Sequence, residues 1–257
     1  MNINNKLTTF AGQQLVLGYN ASERERIKAS QTQLEKKLED HFEDDIDEFL
    51  LFGSYTRNTI LPRNFDSQSD IDLMVVFNTG LTPGTYRKNL HDFLKSAYPN
   101  SLSKKDFPVV KLELNHIMFD IVPAYCEESN WSSNVTFYIP DYDDGWRETV
   151  PNDLNDTLSS KNQSYGENIV RNVIRLCKLW NSEAGYPFQS YEMEKEILGI
   201  TFLWGDNLYE KFISILDTIA GNDAGVSQAI NYIKQYKRQE NEMKQLEWLQ
   251  KLLPGLK

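Results

Sequence analysis

Asp70 and Asp72 flank Ile71 at the head of an otherwise apolar run, Ile71 to Phe77, that carries the β-branched composition of a buried strand. Strand side chains alternate, so the two carboxylates share one face while Ile71 and Leu73 anchor the other in a core. Two like charges one step apart on one face each raise the cost of ionising the other. The arrangement makes sense where a divalent cation neutralises the pair, and ligands that are all oxygen suit magnesium or manganese. A third carboxylate, Asp120, lies opposite in phase to Phe119 and Ile121 in a second strand-like run. If the two strands are neighbours, three carboxylates meet on one face, the donor set of a two-ion site for displacement at phosphorus. A lone Asp-x-Asp is more often a turn or a solvated strand end. Gly53-Ser54, directly after a short apolar run and ahead of the pair, sharpens the pattern, because glycine lets backbone approach a phosphate and serine adds a hydroxyl donor.

The rest of the chain frames these strands. Ser22 to Leu51 reads as a long amphipathic helix, capped by Ser22 with Glu25, broken near Asp44 to Asp47 and giving way to a strand at Phe49 to Phe52. Thr82 to Tyr98 is predicted helical with Pro83 in its first turn, and Val109 to Leu114 with Ile117 to Val122 form a hairpin about Asn115-His116. Trp131 to Asn162, rich in Asp, Asn, Ser and Pro, reads as a long crossing loop. Beyond it the periodicity predicts helices over Tyr165–Trp180, Tyr191–Leu203, Asn207–Ala220 and Ala224–Leu253. The fold class is therefore α+β: a mixed sheet with helices over residues 1–160 and a helical carboxy-terminal lobe over 161–257.

Composition narrows the partners. With 257 residues and a formal charge of −10, the chain lacks the basic face that broad duplex binding needs, so no nucleic-acid template is expected. No apolar run approaches membrane-spanning length and no leader is evident, which predicts a cytoplasmic protein without a membrane partner. Cys126 and Cys177 have no partner clusters, and His41, His91 and His116 lack ligand spacing. On Tyr165–Trp180, Arg171, Arg175 and Lys178 fall on one stripe, which reads either as a solvated basic face or, given the carboxylates, as a phosphate contact through Lys178. Tyr191 by itself reads as core packing.

The segments GSYTRNT, SDIDLMVVF and FDIVPA resemble the polymerase-beta-type nucleotidyltransferase superfamily. With YIPD, GWRETVP, IVRNVIRLCKLWN and FQSYEMEKEIL, the chain more narrowly resembles the CD-NTase, or SMODS, family of second-messenger synthetases, over roughly Ser22 to Ala220. The resemblance implies a cleft between the two lobes and an enzyme that joins nucleoside triphosphates into a cyclic dinucleotide, cyclic trinucleotide or linear oligonucleotide and releases pyrophosphate. It also implies a downstream effector protein activated by that product in antiphage defence. By the same resemblance Asp70, Asp72 and Asp120 are catalytic and bind Mg2+ or Mn2+, with Asp120 helping to deprotonate the attacking hydroxyl. Gly53, Ser54, Lys178 and Ser190 hold the nucleotide phosphates, and Tyr191 stacks on a base. Two other readings stay open at this point: transfer of a nucleotide to a protein, RNA or small molecule, as in toxin–antitoxin relatives, and a nucleotide-binding module without turnover.

Overall fold

The computed structural model describes residues 2–78, 80–128, 135–166, 168–203 and 205–257. The chain forms two compact units, neither continuous in sequence: one comprises residues 20–57 and 68–153, the other residues 1–19, 58–67 and 154–257.

The first unit is built on a mixed sheet. Its strands are β1 (Ile46–Phe52), β2 (Asp70–Phe77), β3 (Leu102–Asp106), β4 (Val109–Glu113), β5 (Met118–Glu128), β6 (Val135–Pro140) and β7 (Trp146–Thr149). The order is β1-β2-β5-β4-β3, with β6 pairing the far end of β5 and β7 pairing β6. β2 and β5 are parallel, and the other ladders are antiparallel. Helices α2 (Ala21–Phe42) and α4 (Pro83–Ala97) cover one face, where Phe77 stacks on Tyr86 at 4.3 Å between ring centroids and meets Phe42 at 5.4 Å. Ile71, Leu73 and Val75 alternate onto that covered face and are fully buried. The opposite face is divided along its strands: Met74, Val76, Val122 and Ala124 form an apolar cluster at one end, and the carboxylates stand at the other.

Several expectations are corrected by tertiary pairing. The helix predicted to run on to Leu51 stops at Phe42, just ahead of the expected break near Asp44 to Asp47, and the strand expected at Phe49 to Phe52 starts earlier, at Ile46, because its apolar residues pair as an edge strand with β2. Asn20, not Ser22, caps α2: its Oδ1 accepts from the Glu23 N–H at 2.8 Å. Within the supposed crossing loop, β6 and β7 extend the sheet and α5 (Asn155–Tyr165) begins the helical unit, while residues 131–134 of that segment lie outside the described residues. Phe137 and Ile139 pack against the apolar cluster of the sheet, and aromatic contacts hold the other face, with Tyr125 stacked on Tyr138 at 4.7 Å and edge-on to Trp146 at 4.9 Å. The predicted helix Thr82 to Tyr98 and the hairpin about Asn115-His116 are present as α4 and β4–β5.

The second unit is helical: α1 (Ile3–Thr9), α5, α6 (Ile169–Glu183), α7 (Ser190–Gly199), α8 (Leu208–Ala220), α9 (Ala224–Arg238) and α10 (Glu242–Leu252). The run expected as one helix to Leu253 divides at Glu240, whose φ is +53°, and Asn241 caps the second piece. Helix α6 is buried on nearly every side, so the expected basic stripe is no solvated face. Arg175 is interior and donates to Asn58 O, Ala11 O and Asn172 Oδ1, bracing three segments. Among the described residues no helix is long and apolar enough to cross a membrane.

Candidate active site

The sheet unit brings the carboxylates together. Asp72 and Asp120 are register partners on the parallel pair β2–β5, and Asp70 stands two residues before Asp72 on the same face. Asp120 is 8% exposed, and Asp70 and Asp72 are half-buried. On the other side of Asp72, Phe52 is its register partner at the end of β1, and the chain turns there into the single turn α3 (Gly53–Thr56). Gly53 adopts φ +72°, and a Cβ built on it falls 1.9 Å from Asp72 Oδ2. The turn therefore leans directly on the carboxylate and admits only glycine, for conformational and steric reasons together. Thr56 Oγ1, 2.9 Å from Gly53 O and 3.0 Å from Asn152 Oδ1, ties the turn to the loop after β7.

A residue the sequence reading missed completes the face. Lys111 is the register partner of Asp120 across the antiparallel pair β4–β5, with Nζ 3.2 Å from Asp120 Oδ2 and 3.3 Å from Asp106 Oδ2. Burial pushes the Asp120 carboxyl above the ordinary carboxylate range, and the Lys111 ammonium pulls it partway back. Desolvation alone lowers the Lys111 ammonium, but the charges of Asp120, Asp70 and Asp106 outweigh it and raise it. The signal for Lys111 was present: a hairpin turning at Asn115-His116 sets 111 opposite 120.

Among the described residues no group of three or more His, Cys, Asp and Glu side chains is placed to hold a metal ion as it stands. The donor set nonetheless fits a hard cation. The three side chains offer carboxylate oxygens, and among the described residues Asp120 Oδ1 is buried with no hydrogen-bond partner while its other oxygen sits on Lys111.

In the helical unit the expected nucleotide contacts are distributed differently. Lys178 is 5% exposed, with Nζ 2.5 Å from Oε1 of the fully buried Glu194, an oxygen that also accepts from Thr59 Oγ1 at 2.9 Å. Sequence reasoning missed Glu194, which lies one helical turn beyond Ser190. Ser190 opens α7 and is exposed, and Tyr191 is 40% exposed rather than packed in the core.

Comparison with known proteins places the chain. The family model of the Second Messenger Oligonucleotide or Dinucleotide Synthetase domain, SMODS, matches residues 1–162. The chain is 30% identical over 95 residues to a probable cyclic nucleotide synthase of Bacillus cereus strain VD146, a match covering 37% of this chain and 28% of that protein. Among solved structures, that of E. coli MS115-1 CdnC with ATP superposes with a TM-score of 0.69 at 17% identity, covering 100% of this chain and 98% of that one. The Bradyrhizobium diazoefficiens CD-NTase CdnG with GTP gives 0.63 at 14% identity, covering 98% and 91%. Elizabethkingia meningoseptica CdnE, a cyclic dinucleotide synthase with GTP and Apcpp, gives 0.61 at 15% identity, covering 96% of each. A mixed sheet carrying an in-register carboxylate pair beside a glycine-serine turn, joined to a family match over well more than half the chain, means that this protein belongs to the SMODS, or CD-NTase, family.

Proposed function

We propose that the protein condenses nucleoside triphosphates into a cyclic dinucleotide, cyclic trinucleotide or short oligonucleotide second messenger with release of pyrophosphate. The observation that carries this reading is the juxtaposition of Asp72, its register partner Asp120 and the glycine turn packed on Asp72 Oδ2. Asp70, Asp72 and Asp120 are the residues that would hold Mg2+ or Mn2+. When bound, such an ion supplies charge neutralisation of the triphosphate and of the attacking oxygen. Gly53 and Ser54 offer backbone and hydroxyl to the phosphates of that nucleotide, and Asp120 is the carboxylate placed to help take the proton of an attacking ribose hydroxyl. Catalysis in this reading is mainly positioning and neutralisation.

In the helical unit, exposed Ser190 and Tyr191 suit contacts to a phosphate and a base, and Lys178 reaches a phosphate only by leaving Glu194. The proposal thus assigns the transfer chemistry to residues 1–160 and the supporting nucleotide contacts to 161–257. Relatives are described with ATP or with GTP, and CdnC also in complex with a HORMA protein. We extend the nucleotide substrates, an effector answering to the product, a role in antiphage defence and a cytoplasmic location to this chain as parts of the same reading. The test is incubation with all four nucleoside triphosphates and Mg2+ or Mn2+, followed by chromatography and mass spectrometry. Phosphatase-resistant nucleotides made from the triphosphates alone support synthesis. Products only when a protein, RNA or small-molecule acceptor is added point to transfer onto that acceptor, and no turnover under any condition points to a silent binding module.

A further inference from the structure

Three carboxylates on one sheet face repel one another, and the chain without metal needs a counter-charge there. Residues 72, 120 and 111 form a row across the adjacent strands β2, β5 and β4, two acids and then a lysine. The lysine's side chain is 20% exposed and that of Asp120 11%, so the pair is shielded from most of the solvent screening that weakens a surface ion pair. Lys111 engages one Asp120 oxygen, and among the described residues the other is buried without a hydrogen-bond partner. Resting on the reading of this face as the metal site, we propose that Lys111 is a placeholder cation: it offsets part of the carboxylate charge in the metal-free protein, holds Asp120 by Oδ2 with Oδ1 left open, and opposes the divalent ion that the face takes up. Lys111 acts through Asp120 and is a positioning residue. A monocation next to a dication repels it whichever oxygen each takes, and at this burial the repulsion outweighs the rotamer freedom that Asp120 gains when the lysine is removed. Lys111 thereby sets the metal concentration at which the site fills.

The test is calorimetric titration of MnCl2 into the nucleotide-free full chain for wild type, Lys111→Met, Lys111→Gln and Lys111→Arg, with melting curves alongside. Expected are Mn2+ affinities about tenfold or more tighter in the two uncharged variants and within about threefold of wild type in the arginine variant. The metal-free melting temperature falls in the uncharged variants and recovers when Mn2+ is added. Mn2+ binding by the uncharged variants alone also supports the placeholder. Equal Mn2+ affinity in wild type and Lys111→Met overturns the role of Lys111 and leaves the carboxylate site standing. Absence of Mn2+ binding in all four proteins overturns both. Failure of both uncharged variants to fold even with saturating Mn2+ overturns the placeholder as well, since the ion then cannot take the lysine's place.

Discussion

Lys178 and Glu194 form an ion pair in the interior of the helical unit, 2.5 Å between Nζ and Oε1, with the carboxylate fully buried. A buried pair is fragile to the loss of one member, because the survivor keeps its charge without a partner. Glu194→Gln is expected to destabilise the protein by about 3–5 kcal/mol in urea unfolding. The double variant Lys178→Met with Glu194→Leu is expected to recover most of that loss. If Lys178 also serves a phosphate, the double variant folds and yet shows a raised KM for the nucleotide, which steady-state kinetics would reveal.

Gly53→Ala places a methyl group on Asp72 Oδ2 at a left-handed backbone position. The backbone cost is about 1–2 kcal/mol. Displacement of the turn or of the carboxylate by an ångström is expected to lower kcat/KM by about a hundredfold. A melting curve close to wild type with activity lost assigns the effect to the site, and unchanged activity would show that the turn does not position Asp72.

How much of this was legible follows from which interactions are local. The meeting of Asp70 and Asp72 with Asp120 rested on the non-local pairing of β2 with β5, whereas alternation around Ile71 sufficed to set Asp70 and Asp72 on a common face, because side-chain direction in a strand depends only on neighbours in sequence. The glycine-serine turn was readable for the same reason, and the hairpin turn at Asn115-His116 carried the register that exposes Lys111 as a partner of Asp120. By contrast Ile46 and Phe49 fit a helical stripe as well as a strand, and only pairing with β2 decides between them. The alternation of Val135, Phe137 and Ile139 is too short, amid Asp, Asn, Ser and Pro, to stand out, and only pairing with the end of β5 makes β6 a strand. Lys178 was legible as a phosphate contact or a solvated cation, but nothing local announces that Glu194, on the next helix, pairs with it in the interior.

Tyr209 gives the helical unit an alkaline limit. Burial, with the neighbouring Glu210 charge adding to it, pushes its phenol from 10.0 up to about 12, and its hydroxyl donates to Gln245 Oε1 at 3.0 Å. A pKa raised in the folded state contributes stability that is complete below the unfolded value near 10 and is lost as pH rises toward about 12. Tyr209→Phe is expected to cost about 1 kcal/mol at pH 8. It should also flatten the fall in stability between pH 10 and 12, by roughly 2–3 kcal/mol relative to wild type. Urea midpoints measured across that range check both signs.

The central claim is that the acids at 70, 72 and 120 act together on a triphosphate. Pyrophosphate release from nucleoside triphosphates with Mg2+ or Mn2+ tests it most directly, comparing wild type with Asp70→Ala/Asp72→Ala and with Asp120→Asn. The account predicts release by wild type and a fall of about 10²–10³ or more in each variant, all remaining folded. Release at the wild-type rate from the variants, or none from wild type across all four nucleotides and both metals, would contradict it.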